Sequence, residues 1–194
     1  MSMRLPASER RDQLMATALE VFARQGFHAT SMNEIADAAG VTKPVLYQHF
    51  TSKRGLYLEL LSDVGNHLLD AIAKATANAG SPRAQVERGF AAYFRWVADD
   101  HDAFNLMFGS GARRDEEFAD AVRRVESAVA EAIASLIAAD IDDDHRTLLA
   151  YGLVGLAEGT SRRLVAASIP FDPQRVAAQV ADLAYAGLRS VRRA

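Results

Sequence analysis

Between Met32 and Phe50 an alanine, a glycine and a leucine stand at the spacing that a tight corner between two short helices demands. Ala36 is small enough to let a second helix pack close and at a steep angle. Gly40 tolerates the positive φ of the turn. Leu46 returns an aliphatic side chain to the shared core, and Ile35, Ala39 and Val41 complete the apolar set. Ser31-Met32-Asn33-Glu34 reads as a capping box before the first helix. Pro44 falls in the first turn of a second helix beginning at Thr42, where its missing N–H costs nothing. The spacing predicts a helix-turn-helix over residues 32–39 and 42–50. A chance structural hairpin rarely meets every one of these requirements, and the outward face then matters. That face offers Thr42, Lys43, Val45, Tyr47, Gln48 and His49: donors, a positive charge and an aliphatic suited to a thymine methyl. It carries no acid, as nearness to phosphate requires. Lys53 follows beside the free N–H groups of the next helix, a place for a phosphate.

The rest of the chain keeps helical periodicity. A first helix is expected over 8–25, with Ser8 as N-cap, Leu14, Ala18, Val21 and Phe22 on one face, and Gly26 as its stop. Ser52 caps a fourth helix running to about residue 79. After Gly80-Ser81-Pro82, helices are expected over 82–100, 115–139, 142–167 and 172–192, with 101–112 short and irregular. The fold class is all-α: an N-terminal three-helix helix-turn-helix domain and a C-terminal helical bundle, about nine helices with no convincing strand. Chemistry that needs cysteine is excluded, because the 194 residues contain none. Five histidines are dispersed and form no His-Glu-x-x-His, so no catalytic set emerges. Residues 1–55 carry seven Lys/Arg against five acids, and the remainder fifteen against twenty, within a net charge of −3. A mildly basic head on an acidic body fits a polyanion reader joined to something else. The longest apolar run, Leu148 to Ala157, is far short of the ~18–20 residues that span a bilayer, and no secretory leader is visible. A cytoplasmic protein without a membrane partner is expected.

Several groups in the second half have two readings. Phe90, Tyr93, Phe94, Phe104, Met107, Phe108 and Phe118 are ordinary core, or the lining of an apolar cavity. Tyr151, Glu158 and Arg162 share a helix face, where Glu158 and Arg162 form a surface pair or polar contacts for a ligand or dimer seam. Gly155 and Gly159, with Val176, Val180, Leu183 and Leu188 on the last helix, suggest a symmetric four-helix interface between two copies. Asp142-Asp143-Asp144-His145 looks like a metal cluster on paper, but acids at a helix start are explained by capping and the dipole. Gly109-Ser110-Gly111 lacks the setting of a phosphate loop and reads as a connector.

Residues 8 to about 60 resemble the N-terminal domain of the tetracycline-repressor (TetR/AcrR) family. The resemblance lies in Ala18, Phe22, Gly26-Phe27, Thr30-Ser31, Ile35-Ala36, Ala39-Gly40-Val41-Thr42, Leu46-Tyr47, His49-Phe50 and Ser52-Lys53. It implies an all-helical homodimeric transcription factor, usually a repressor, released from a palindromic operator by a small ligand in the C-terminal domain. Carried over residue by residue, Thr30, Ser31, Tyr47 and Lys53 grip phosphates, while Thr42, Lys43, Pro44, Gln48 and His49 face the major groove. The implied division is 1–52 for DNA binding and 53–194 for ligand binding and dimerisation, with 53–79 as a linking helix. The implied partners are double-stranded DNA, a second copy and an apolar or amphipathic effector, with no cofactor. Two departures stand out. Pro44 replaces a more usual small residue, and Arg54-Gly55 replaces a more usual acidic pair. Arg54 adds an expected phosphate contact, and Gly55 costs roughly 1 kcal/mol of helix propensity. The alternatives are a ligand-binding or enzymatic helical protein with a structural helix-turn-helix, and a DNA-binding activator without a small-molecule inducer.

Overall fold

Helices are the only regular elements of the computed structural model among the described residues, which are 6–109, 112 and 114–191. They are α1 (Ala7–Ala29), α2 (Met32–Ala38), α3 (Lys43–His49), α4 (Lys53–Thr76), α5 (Pro82–Asp99), α6 (His101–Phe108), α7 (Glu116–Leu136), α8 (Asp143–Ala166) and α9 (Pro173–Ser190). The chain divides into two compact units, Met1–Val64 with Asp102–Val122, and Gly65–His101 with Arg123–Ala194. Both α4 and α7 supply residues to each unit.

The first unit is assembled around α1. Leu14, Ala18, Val21 and Phe22 are buried on one face of that helix, as the period of 3.6 requires. Pro6, not Ser8, is its N-cap, so Ser8 lies inside the first turn. Gly26 ends the regular helix at φ 79°, and a short helical turn follows to Ala29. Ile35 and Ala36 from α2, Leu46 from α3, Phe50, and Leu56, Leu60 and Leu61 from α4 complete the core. Residues 101–112, expected to be irregular, contain α6 instead. Ala103, Phe104, Leu106 and Met107 are all buried there, and burial of an apolar face outweighs the weak propensity of so short a helix. Phe118, at the start of α7, fits among Phe27 and Tyr57 at ring-centroid separations of 4.7 and 4.4 Å. Burial pushes the Tyr57 phenol up to about 12, and it donates to the Leu106 carbonyl at 3.3 Å.

In the second unit α9 packs on α5, and both contact α8. The α9 stripe Ala177, Val180, Ala181 and Ala184 is buried. Asp142 caps α8 by accepting the His145 N–H at 2.7 Å, which is the capping role expected of the acidic run. Arg146 reaches back to the carbonyls of Ile137, Ala139 and Ile141 after the end of α7, where a cation also suits the helix dipole. On α4, Gly65 is required by close approach: an added Cβ would lie 2.3 and 2.8 Å from the two methyls of Val125 on α7. A β-branched side chain has few rotamers with which to yield. Gly65→Ala is therefore expected to destabilise the protein by about 1–3 kcal/mol in urea unfolding. Adding Val125→Ala should recover most of that loss; no recovery would place the strain elsewhere.

Candidate nucleic-acid interface

The corner between α2 and α3 is built almost wholly from its own residues. Ser31 Oγ accepts the Glu34 N–H at 3.2 Å and Glu34 accepts the Ser31 N–H at 2.7 Å, closing the capping box. These bonds from Ser31 hold the Glu34 carboxyl below its ordinary range. At the other end of α2, Gly40 has φ 66°. Its N–H reaches the Asp37 carbonyl at 3.1 Å, and the Val41 N–H reaches the Ala36 carbonyl at 3.0 Å. This crossed pair is a Schellman motif, which needs a left-handed residue where Gly40 stands. The chain then re-enters a helix through the extended Thr42, with Pro44 in the first turn.

The short α3 buries Leu46 completely and leaves Thr42, Lys43, Pro44, Tyr47 and Gln48 exposed, with His49 half-buried. Thr42 makes no side-chain cap bond, so its hydroxyl is not spent on capping the helix. The Lys43 ammonium lies 5.9 Å from the Tyr47 ring centroid. Behind this face, Arg11 stacks 5.0 Å over Phe50 and pairs with Glu59 on α4. The result is a row of polar and cationic groups on a helix fixed at both ends.

The expected phosphate contacts divide. Ser31 is exposed, and its hydroxyl accepts within the cap, which leaves its proton available. Thr30 is only 2% exposed, and its hydroxyl donates to the Gly26 carbonyl at 2.9 Å. That placement removes its side chain from the phosphate donors and makes it a fastener of the turn before α2. Lys53 is half-buried. Its ammonium donates to the carbonyls of Phe27 and Thr30, both at 2.7 Å, and sits 4.4 Å from the Phe27 centroid. Two of its three donors thus hold the same turn, leaving one for an external anion.

Arg54 differs most from expectation. Its guanidinium grips Asp115 through two bonds of 3.0 and 2.7 Å and Glu117 through a third of 2.7 Å. It also lies 4.7 Å over the Phe118 ring. Asp115 is held below its ordinary range, first by the Arg54 bond. In this arrangement the fork satisfies carboxylates of its own fold. Sequence reasoning had no local signal for that pairing, because Asp115 and Glu117 lie 61 and 63 residues away.

The expected ligand residues also separate. Phe104, Met107, Phe108 and Phe118 belong to the first unit, and Phe90, Tyr93, Phe94, Tyr151, Glu158 and Arg162 to the second. Phe118 is core of the first unit, not a cavity lining. In the second, Tyr93 meets Phe94 edge-on at 5.4 Å, and Glu158 pairs with Arg162. Tyr151 is 44% exposed and shares a hydrogen bond with Ser127 at 2.8 Å. Of the expected interface residues, Gly155 and Gly159 are exposed, and added Cβ atoms there would meet nothing. Leu183 is 64% exposed, and Leu148 on α8 is 68% exposed. Val176 and Leu188 are half-buried. Val180 faces the unit's own core, because the buried stripe of α9 is made of small residues that admit it. Of the expected connector 109–111, Ser110 and Gly111 lie outside the described residues, as does residue 192 at the expected end of the last helix.

A family model described as bacterial regulatory proteins, tetR family, matches residues 14–60. A second, the tetracyclin repressor-like C-terminal domain, matches residues 82–187. The chain is 34% identical over 190 residues to the HTH-type transcriptional activator FasR of Mycolicibacterium smegmatis, covering 97% of this chain and 87% of that protein. It is 36% identical over 96 residues to the HTH-type transcriptional repressor KstR2 of the same species, covering 50% and 46%. A TetR-like transcriptional regulator from Rhodococcus sp. RHA1, of known structure, matches with a TM-score of 0.79 at 28% identity, over 97% of this chain and 100% of that one.

Proposed function

Because the chain belongs to the tetR family of bacterial regulatory proteins and is a DNA-binding transcription regulator, we propose that it acts as a ligand-released homodimer on a palindromic operator. The enzymatic alternative falls away, since its relatives are regulators. The observation that carries the reading is the exposed, acid-free face of α3, held by the capping box and the Schellman turn. Thr42, Lys43, Pro44, Gln48 and His49 face the major groove, and Ser31, Tyr47 and the remaining donor of Lys53 take phosphates. Two copies related by a two-fold axis read half-sites about 34–36 Å apart or a multiple of it. The second copy docks on Leu148, Gly155, Gly159 and Leu183, exposed apolar or small positions on α8 and α9. An effector in the second unit shifts the population toward an arrangement that does not fit the operator, by no more than its differential affinity for the two states. The α4 helix, with residues in both units, is the lever. The sign of regulation follows from where the operator lies relative to the promoter. No helix among the described residues is long and apolar enough to cross a membrane, in keeping with action on cytoplasmic DNA.

Fluorescence anisotropy with the intergenic DNA beside its own gene tests the reading. Tight, competitor-resistant binding that weakens with salt is expected. Lys43→Ala should cost about 1–3 kcal/mol and alter base preference at one position, whereas a uniform loss would make Lys43 a phosphate contact. Tyr47→Phe should weaken binding with the melting temperature unchanged. If neither substitution matters, α3 is not the reader. Leu183→Arg places a charge in the proposed seam and should yield monomers in sedimentation, with operator affinity lost. A dimer that persists would move the seam elsewhere.

A further inference from the structure

The second unit holds two hydroxyls that the fold itself leaves unanswered. Tyr93 on α5 is 7% exposed and Ser161 on α8 is 0% exposed. Apart from each other, neither Tyr93 Oη nor Ser161 Oγ has a hydrogen-bond partner. A buried hydroxyl without one destabilises the fold, because its hydration is lost and nothing replaces it. Phenylalanine and alanine would fill nearly the same space without that cost. A helical serine or threonine ordinarily turns its hydroxyl back to a carbonyl of the preceding turn. Thr160, one residue earlier, does this with the Leu156 carbonyl at 2.8 Å, but Ser161 does not.

The two hydroxyls are neighbours on helices that pack together. Burial raises the Tyr93 phenol most, the Ser161 side chain partly opposes that, and the charge of Glu126 raises it further. The phenol therefore stays a proton donor at neutral pH. The other buried side chains of these two helices are apolar: Phe90, Phe94 and Val97 on α5, and Ala150 and Ala157 on α8. Two hydroxyls with no partner beyond each other in such a setting suit one acceptor oxygen with two lone pairs. A carboxylate would have to enter the field of Glu126, which already opposes charge at Tyr93.

We propose that Tyr93 and Ser161 jointly receive the neutral carbonyl oxygen of an otherwise apolar effector, so that this unit selects a ketone, ester or amide over a carboxylate. The proposal rests on the reading of the second unit as effector-binding.

Two measurements test it. The first needs no ligand. Tyr93→Phe and Ser161→Ala each remove a buried hydroxyl with no partner beyond the other, so their melting temperatures should equal or exceed that of the parent. A fall of several degrees in both would mean that a buried water or a protein group satisfies the hydroxyls, and the proposal fails. The second uses Trp96, the one tryptophan of the chain, whose ring lies 5.9 Å from that of Tyr93. Titration of the full-length protein with 2-undecanone should give a saturable change in Trp96 fluorescence, and undecanoate should bind at least about tenfold more weakly. Each variant should lose about tenfold in ketone affinity, the worth of one hydrogen bond in a buried site. Equal binding of undecanoate, unchanged affinity in the variants, or no saturable response to the ketone would overturn it. Operator anisotropy on the same preparation separates the two readings. Intact DNA binding without a ketone response sinks the carbonyl site alone, whereas absent DNA binding sinks the regulator.

Discussion

Replacing Phe118 by alanine is expected to cost about 3–5 kcal/mol, the range for truncating a fully buried aromatic side chain. The expectation rests on the environment of Phe118. It has no exposed surface. Its ring contacts Phe27 and Tyr57 at centroid distances of 4.7 and 4.4 Å, and Arg54 covers it at 4.7 Å. Phe27 and Tyr57 in turn meet Phe22, at 6.2 and 5.0 Å. Removing the ring leaves a cavity that this network of stiff aromatic groups can collapse into only partly. A natural domain has roughly 5–15 kcal/mol to lose. Urea unfolding should show the loss directly, and operator affinity should fall with it although Phe118 lies outside residues 14–60, which the tetR family model matches. Phe118→Leu, which refills much of the volume, should recover a large part. If Phe118→Ala leaves both stability and DNA binding intact, residues beyond the helix-turn-helix do not support the first unit.

Phe118 also illustrates which parts of this molecule were legible in its sequence. The corner between α2 and α3 was readable because its determinants are local. The capping box, the left-handed Gly40, the Schellman bonds and the buried Leu46 all act within one or two helical turns. Helix existence was readable for the same reason, from the periodic apolar faces of α1, α5 and α7. What was not readable depends on partners distant in sequence. Nothing near Arg54 announces that Asp115 and Glu117 will occupy its guanidinium. An arginine beside Lys53 at a helix start therefore looked like a phosphate contact. The aromatic residues between Phe90 and Phe118 formed one group in the sequence, yet they divide between two units, because α6 and the start of α7 pack with α1 and α4. The boundary at residue 52 is what the resemblance implies; the first compact unit of the fold comprises residues 1–64 and 102–122. Val180 looked like a seam residue because it lies on an apolar stripe. Which stripe of α9 turns inward depends on the small residues Ala177, Ala181 and Ala184 packing on α5. Ser161 gave no signal at all, since a lone serine in a helix is ordinary until its hydroxyl is found buried without a partner.

Lys53→Met is expected to produce two separable losses, and their separation decides what this lysine does. A cation at the first position of α4 sits at the unfavourable end of the helix dipole, so something must hold it there. The carbonyls of Phe27 and Thr30 do so, at 26 and 23 residues' remove and 2.7 Å each. Those carbonyls belong to the turn that follows Gly26 and delivers Ser31 to the start of α2. Methionine keeps the apolar stem beneath Phe27 but removes every donor. Hydrogen bonds to a charged group contribute about 1.5–3 kcal/mol each, so unfolding in urea should show a destabilisation of at least one such bond. The second loss concerns DNA. With two donors spent inside the fold, the third is the one proposed to meet a phosphate, and losing one phosphate contact should lower the slope of log affinity against log salt by about 1. Lys53→Arg keeps the charge but exchanges a compact ammonium for a planar fork, so it should retain the salt slope better than the stability. A lost stability with an unchanged salt slope would show that the ammonium acts wholly within the turn. Lys53 would then serve recognition only by positioning α2 and α3, and the phosphate grip at this corner would fall to Ser31, Tyr47 and the free N–H groups at the start of α4.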